Sequence, residues 1–344
     1  MAGVDIRIEG AVGRVTLNRP EALNALNRPM MEEIDAALVR WADDDAVAMV
    51  LIDAAGDRAF CAGGDIAELY QRTLEGDLAF SRNFWRDEYR MNARIKNYPK
   101  PYLAIMDGIT MGGGVGLSAH GLHRIVTERS MVAMPECAIG LIPDVGGTYL
   151  LSRSPGCLGT YLGLTGARMG AADAMLAGFA DFFVPVERMD DLIAALVDDA
   201  DIRLIDRFKE MPPDGLLAAA TSGIDQVFAH DSVADIMNAL ERDSKETWQE
   251  KALQALGRGS PLSLHATLRM IRAAKGMTSL EEVLAMEYRF TWRSLDEGEF
   301  MEGIRAAVID KDRNPKWAKA GLGDVAPSDV EAMVADLGDN ELTF

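Results

Sequence analysis

Residues 102–147 read YLAIMDGITMGGGVGLSAHGLHRIVTERSMVAMPECAIGLIPDVGG, and this stretch decides the fold. A short apolar strand runs into three consecutive glycines, Gly112–Gly114, and a helix of small residues follows. After a second short strand, Glu136 and Asp144 lie eight residues apart in turn-rich sequence. Glycines at the start of a helix leave backbone N–H groups open to an oxyanion, and carboxylates supply acid–base or nucleophilic chemistry. The stretch therefore predicts an enzyme.

The first half of the chain repeats this alternation of strand, turn and helix. A β-hairpin is predicted over residues 4–8 and 12–17, and Pro29 opens a helix that extends to Trp41. The continuous apolar run at 46–52 is typical of a strand covered on both faces. Repeated units of this kind predict an α/β core.

Helical sequence dominates the second half. The long charged stretch 66–97 is already predicted to be helical, and beyond about residue 185 the strand signal stops. Amphipathic helices follow, and Ser279 stands three residues before Glu282, the spacing of a capping box. We therefore expect an α/β core over residues 1–190 that carries the site, and a helical C-terminal region over residues 191–344.

Composition narrows the class of protein. The formal net charge of −19 repels nucleic acid and anionic lipid, so we expect neither a nucleic-acid partner nor a membrane partner. No apolar run is long enough to span a bilayer, and the first residues lack the pattern of a secretory signal. The three cysteines do not form a disulfide framework or a metal site, and we interpret them as a sign of a reducing, cytoplasmic location.

Two glycine turns are candidates for binding an anion. The turn with Gly63 and Gly64 precedes a helix that Asp65 could cap, and Gly112–Gly114 form the other. Either turn alone is also explained by the need for small residues between a strand and a helix. Together, at two strand ends, they could aim two N–H groups at one thioester oxygen, which is the geometry of an oxyanion hole.

Acidic residues beside proline or glycine are most often surface turn residues. Glu136 and Asp144 each follow a proline and lie among apolar neighbours, which favours raised pKa values and acid–base roles. Glu88, by contrast, lies in an amphipathic helix, where a solvated ion-pair partner is the default interpretation. From the residues alone it is not a site candidate.

Other chemistries have weaker support. Residues 114–119 fit a dinucleotide-binding pattern, with Glu128 ending the next strand, but this reading leaves the other glycine turn and both acids without a role. The sequence around Ser118 lacks the closing glycine of a nucleophile elbow. His120 and His123 lack a third metal ligand at suitable spacing, and Cys61 and Cys137 are better explained as small buried residues.

Three motifs resemble those of the crotonase (enoyl-coenzyme A hydratase/isomerase) superfamily. They are NRPEALNAL at 18–26, FCAGGD at 60–65 and the triple glycine at 112–114. The resemblance implies a spiral core of ββα units and a coenzyme A (CoA) thioester substrate. It also implies an oxyanion hole formed by the backbone N–H groups of Gly64 and Gly113.

One departure from the hydratase pattern narrows the chemistry. Hydratases of this superfamily carry a glutamate two positions after the third glycine, where this chain has Gly116. The pattern instead resembles the branch that hydrolyses 3-hydroxyisobutyryl-CoA. Its motifs here are ITMGGGVGLS at 109–118, AMPE at 133–136, IPDVGG at 142–147, EGIRA at 302–306 and IDKDRNPKW at 309–317.

The resemblance assigns residues to the site by motif position. It implies that Gly64 and Gly113 form the oxyanion hole, that Glu136 and Asp144 are catalytic, and that Glu88 helps to hold the hydroxyacyl end. The loop from Ala22 to Ala25 would line the adenine end of CoA. The further residues expected at the substrate are Ala22, Leu23, Ala25, Ala62, Asp65 and Ile66. Arg58 is a candidate for binding the CoA phosphates.

We therefore expect hydrolysis of a short 3-hydroxyacyl-CoA, with 3-hydroxyisobutyryl-CoA of valine catabolism as the first choice. No metal or redox cofactor is expected, because CoA is part of the substrate. Hydratase or isomerase activity on another acyl-CoA is the alternative, and a nicotinamide dehydrogenase and a helical partner-binding module are more distant ones. The resemblance also leaves open a homo-oligomer.

Overall fold

The computed structural model describes residues 3–243 and 246–344. Apolar runs of the sequence form short strands, and those at 49–54, 59–61 and 102–106 are almost entirely buried. The strands in chain order are β1 Val4–Glu9, β2 Val12–Leu17, β3 Met49–Ala54, β4 Ala59–Cys61, β5 Tyr102–Met106, β6 Ile109–Met111, β7 His123–Val126, β8 Met131–Ala133 and β9 Phe182–Phe183.

Two sheets are built from these strands. The larger sheet has the order β1-β2-β3-β5-β7-β9, in which β1 pairs antiparallel with β2 and each later neighbour is parallel. The smaller sheet has the order β4-β6-β8 and is parallel throughout. Because β4 and β6 are parallel neighbours, the glycine turns that follow them leave the same edge of the sheet.

The described residues also form α-helices. They are α1 Arg28–Ala42, α2 Ile66–Leu74, α3 Leu78–Lys96, α4 Gly113–Ser118, α5 Gly147–Arg153, α6 Leu158–Thr165, α7 Ala171–Leu176, α8 Met189–Asp199, α9 Thr221–Phe228, α10 Val233–Asp243, α11 Thr247–Arg258, α12 Pro261–Ala274, α13 Leu280–Arg293, α14 Phe300–Ile304 and α15 Pro327–Met333. A π-helical turn, Arg305–Ile309, continues α14.

The chain forms two compact units. The α/β unit comprises residues 3–64, 90–133 and 168–216 and contains both sheets. The helical unit comprises residues 65–89, 134–167, 217–243 and 246–344. These units do not follow the expected boundary at residue 190, because two earlier segments pack with the C-terminal helices.

Each unit buries its own apolar core. In the α/β unit, α8 lays Leu192 and Leu196 against one face of the larger sheet, where they meet Leu51 and Leu103. In the helical unit, α12 is buried along most of its length and packs on α5 and α6. The predicted α/β class with a helical C-terminal region is therefore confirmed.

Local signals in the sequence account for most element boundaries. Asn27 caps α1 by accepting the Met30 N–H, and Ser279 and Glu282 form the predicted capping box of α13. The predicted hairpin is present as β1 and β2. The predicted helical stretch 66–97 is interrupted at 75–77, where Gly76 takes a positive φ of 84°.

We predict that Gly114→Ala destabilises the protein by about 1–3 kcal/mol, because overpacking a buried backbone forces a shift. A Cβ on Gly114 would lie 2.3 Å from the Cys61 carbonyl oxygen. Urea unfolding measures the effect. Gly257→Ala is the control, because its Cβ would meet no heavy atom within 4 Å and alanine favours the helix. Equal effects of the two substitutions would contradict the close approach.

Candidate active site

The two glycine turns come together in the α/β unit. β4 and β6 end beside each other, and a Cβ on Gly63 would lie 3.9 Å from the Gly113 nitrogen. Gly63 has a φ of 117° and Gly112 a φ of 49°, so both turns use the region that favours glycine. Within residues 3–243 and 246–344, the N–H groups of Gly64 and Gly113 donate to no backbone acceptor. Two unsatisfied donors at adjacent turns are the arrangement expected of an oxyanion hole.

The loop expected at the adenine end of CoA lies against the first of these turns. The Ala62 N–H donates to the Leu23 carbonyl at 3.1 Å, and the Leu26 N–H donates to the Gly63 carbonyl at 2.8 Å. Buried Asn24 fixes the loop, because its side-chain amide donates to the Ala59 carbonyl at 2.8 Å.

Four of the expected substrate residues therefore share one region of the α/β unit: Ala22, Leu23, Ala25 and Ala62. Two others begin the helical unit. Asp65 is the N-cap residue of α2 and Ile66 its first residue, but the Asp65 side chain makes no capping hydrogen bond. Arg58 is exposed in the α/β unit, ahead of β4.

The acidic residues are gathered in the helical unit. Glu88 lies on α3, Glu136 begins a 3-10 turn, and Asp144 lies in the turn before α5. At most 5% of each residue's surface is exposed. The default interpretation of Glu88 as a solvated helix residue is therefore wrong, because its face of α3 packs inside the unit beside Phe84 and Trp85. Buried carboxylates without matching cations are uncommon and are candidates for function.

Asp144 is held by a tyrosine. The Tyr89 hydroxyl donates to Asp144 Oδ2 at 2.7 Å and also lies 3.5 Å from Thr291 Oγ1. Burial raises the pKa of Asp144 to about 6, and the Tyr89 hydrogen bond opposes that rise by stabilising the carboxylate. Asp144 can therefore exchange a proton near neutral pH.

Glu136 and Glu88 have unsatisfied oxygens. Burial, and then the charge of Asp144, raise the pKa of both carboxyls well above the usual 4.5. In the described part of the chain, neither Glu136 Oε2 nor Glu88 Oε1 has a hydrogen-bond partner. Buried polar atoms are nearly always paired, so these two oxygens fit hydrogen bonds to a substrate hydroxyl or a water.

Glu287 is a further buried acid that the motif analysis missed. It lies on α13 and accepts the Gly146 N–H at 2.8 Å and the Thr148 N–H at 3.0 Å. Burial raises its pKa to about 8, while the amide donors oppose the rise. One sequence signal could have revealed it, because Glu287 interrupts the apolar stripe of α13 formed by Leu280, Leu284 and Phe290.

The cysteines near these motifs are not reactive groups. Cys61 and Cys137 are both buried, as predicted. Burial raises the pKa of the Cys137 thiol to about 12, so it does not supply a thiolate near neutral pH.

The sequence profile described as enoyl-CoA hydratase/isomerase matches residues 12–334, which is nearly the whole chain. The chain belongs to this family. The solved structures it resembles include an enoyl-CoA hydratase from Rhodobacter sphaeroides 2.4.1, with a TM-score of 0.95 and 51% identity, covering 99% of this chain and 100% of the other. A carnitinyl-CoA dehydratase from Mycobacterium thermoresistibile also has a TM-score of 0.95, with 45% identity over 99% and 98% of the two chains.

Curated relatives of this family member carry a more specific name. A Danio rerio protein named 3-hydroxyisobutyryl-CoA hydrolase, mitochondrial, is 41% identical over 99% of this chain and 92% of its own length. A Homo sapiens protein with the same name is 39% identical over 98% of this chain and 89% of its own length. The resemblance to the hydrolase branch is therefore confirmed.

The expectation of a cytoplasmic location is wrong, because these relatives are named as mitochondrial proteins. Cysteine usage reports the redox state of a compartment and does not identify the compartment. Among the described residues, no helix is both long and apolar enough to cross a membrane.

We predict that Asp144→Asn changes the pH dependence of stability. The folded-state pKa of about 6 lies above the ordinary 3.8, so the wild type loses stability as pH rises between these values. Asparagine cannot ionise and can still accept the Tyr89 hydroxyl. The stability of the variant relative to wild type should rise by about 2–3 kcal/mol from about pH 4 to about pH 7 in urea unfolding. A difference that does not vary with pH would show that Asp144 ionises normally.

Proposed function

We propose that the chain hydrolyses 3-hydroxyisobutyryl-CoA to 3-hydroxyisobutyrate and CoA, a step of valine catabolism. The observation that carries the proposal is the buried pair Glu136 and Asp144, with an oxygen of Glu136 left without a partner among the described residues. Similarity to proteins named 3-hydroxyisobutyryl-CoA hydrolase over nearly the full chain supports the substrate.

The proposed role of the glycine turns is to bind the thioester oxygen. The N–H groups of Gly64 and Gly113 would donate to it as it gains negative charge. Backbone donors suit this task because the turns already hold them in place, so little reorganisation accompanies the reaction. Loss of one such donor typically raises the barrier by about 2.7–4 kcal/mol.

Glu136 is the proposed reacting carboxylate, and two routes are open to it. In one route, a Glu136 oxygen attacks the carbonyl carbon, the C–S bond breaks, and water then cleaves the mixed anhydride. In the other route, Glu136 takes a proton from a water that attacks the carbonyl directly. Its raised pKa makes it a stronger base than an exposed glutamate once it has ionised.

Asp144 and Glu88 are proposed to serve the leaving group and the hydroxyacyl end. Asp144, with a pKa of about 6, can protonate the departing thiolate or position the β-hydroxyl or the water. The unpartnered oxygen of Glu88 can accept a hydrogen bond from the hydroxyl of the substrate. The reaction balances with one water consumed and no cofactor beyond the CoA of the substrate.

Hydration of an enoyl-CoA is the second candidate function. A structure titled as an enoyl-CoA hydratase is 51% identical to this chain, which favours it. Against it, the family pattern places a glutamate of hydratases at the position of Gly116, which is buried here in α4. Addition of water to a carbon–carbon double bond would then lack one of its two acid–base carboxylates.

A panel of CoA thioesters distinguishes the two functions. We predict thiol release from 3-hydroxyisobutyryl-CoA, followed with a thiol reagent, and no hydration of crotonyl-CoA. Hydration of crotonyl-CoA without thiol release from any 3-hydroxyacyl-CoA would exclude the hydrolase assignment.

We predict that Glu136→Gln lowers thiol release at least ~100-fold, the lower range for loss of general acid–base catalysis. In the wild type, the acid limb of kcat/KM should lie well above pH 4.5, because burial raises the pKa of Glu136. Glu299→Gln is the matched control, since Glu299 is also a buried glutamate of the helical unit with two hydrogen-bond donors. Equal activity of the two variants would remove Glu136 from the mechanism.

A further inference from the structure

The turn that carries Asp144 has an unfavourable backbone. Val145 has a φ of 52° and Gly146 a φ of 77°, so two successive residues lie in the left-handed region. Glycine adopts this region freely, but for a β-branched residue such as Val145 it is rare and costly. Such a conformation persists only where the surroundings hold it, and it tends to occur at functional sites.

Two hydrogen bonds within the turn help to stabilise this backbone conformation. The Gly147 N–H donates to the Asp144 carbonyl at 2.6 Å, and the Thr148 hydroxyl donates to the Pro143 carbonyl at 2.7 Å. Both bonds are local, and the second depends on the hydroxyl group of Thr148. They do not connect it to another part of the helical unit.

Glu287 makes that connection, although it lies 141 positions after Gly146 and 139 positions after Thr148 in the chain. Its Oε2 accepts the Gly146 N–H and its Oε1 accepts the Thr148 N–H, so one carboxylate bridges both sides of Gly147. The side chain is fully buried, and hydrogen bonds from two N–H groups to a carboxylate are strong in such surroundings.

The same helix also supports the tyrosine that binds Asp144. The Tyr89 hydroxyl lies 3.5 Å from Thr291 Oγ1, and the Tyr89 ring meets the Tyr288 ring edge-on with centroids 6.1 Å apart. α13 therefore holds the backbone that follows Asp144 through Glu287, and it contacts the hydrogen-bond partner of the Asp144 side chain through Thr291. Two independent contacts from one rigid helix define where the Asp144 carboxylate lies.

We propose that Glu287 is a positioning residue, which holds the strained Asp144–Thr148 turn so that Asp144 keeps its catalytic orientation. Glu287 acts through Asp144 and is assigned no contact with substrate. This inference rests on the proposed hydrolase function, because it explains how Asp144, one of the proposed catalytic groups, is held in place.

A residue that only held the turn in place would not change the pKa values of its neighbours. Glu287 does change them. The ionisable groups that interact with it are Asp144, Glu136 and Tyr89, which come from three different segments. The charge of Glu287 contributes to the raised pKa of Glu136. Neutralising Glu287 should therefore lower the pKa of Glu136 and move the acid limb of the rate profile to lower pH.

Glu287→Gln tests the proposal in the full chain, with 3-hydroxyisobutyryl-CoA as substrate. Glutamine offers one acceptor oxygen, and its NH2 group faces the second backbone N–H, so one of the two bonds is lost. We expect kcat to fall about 10–100-fold with KM nearly unchanged, since a small misplacement of a catalytic group has that effect. The acid limb of kcat/KM should shift to lower pH.

Glu299→Gln is the matched control, because it makes the same substitution at another buried glutamate that holds two donors in the helical unit. It should leave kcat and the acid limb unchanged per folded molecule. Reduced stability of Glu287→Gln with an unaltered kcat and pH profile would overturn the positioning role while leaving the hydrolase function intact. A wild type without thioesterase activity would overturn both.

Glu287→Asp keeps the inference testable where Glu287→Gln fails to fold. Aspartate retains the charge but is one methylene shorter, so it cannot bridge both N–H groups. We expect a lower kcat with an acid limb close to that of the wild type. Wild-type kcat in Glu287→Asp would overturn the proposal, because the bridge would then be unnecessary.

Discussion

Burial of several carboxylates in one small volume is the constraint on which the helical unit depends. Removing a carboxylate from water costs several kcal/mol, and neighbouring negative charges add to that cost. Donors offset part of it: the Tyr89 hydroxyl serves Asp144, and two backbone N–H groups serve Glu287. Glu88 and Glu136 each retain one oxygen without a partner in the described residues. The unit is thus stabilised by its apolar packing, and the buried acids lower its stability.

In the proposed function, different residues of this chain provide the family scaffold and the reaction chemistry. The parallel strands that bring the glycine turns together provide thioester recognition of a general kind, which different reactions can share. In the proposed function, the acidic residues determine which bond reacts. The proposal assigns this choice to a glycine at position 116 and to the carboxylates at positions 136 and 144, which would favour attack on the carbonyl carbon over addition to a double bond.

Most of the fold follows from local sequence. The hairpin, the apolar strands and the capping box of α13 were predictable because neighbouring residues specify them. The acids at 136 and 144 were found because proline and apolar residues flank them. Glu287 was not found, because the backbone N–H groups that it binds lie about 140 positions earlier in the chain and no sequence motif spans that distance. For the same reason, the packing of residues 65–89 and 134–167 with the C-terminal helices could not be predicted from local sequence.

That interleaved packing has a consequence for biosynthesis. The segments with Glu88 and Glu136 leave the ribosome long before residues 217–344, which complete the helical unit. Until then these segments lack the native contacts that the later residues provide, and such partly made chains tend to aggregate or to require chaperones. The helical unit is therefore completed only after these later residues have been made, so their synthesis commits the nascent protein to its final form.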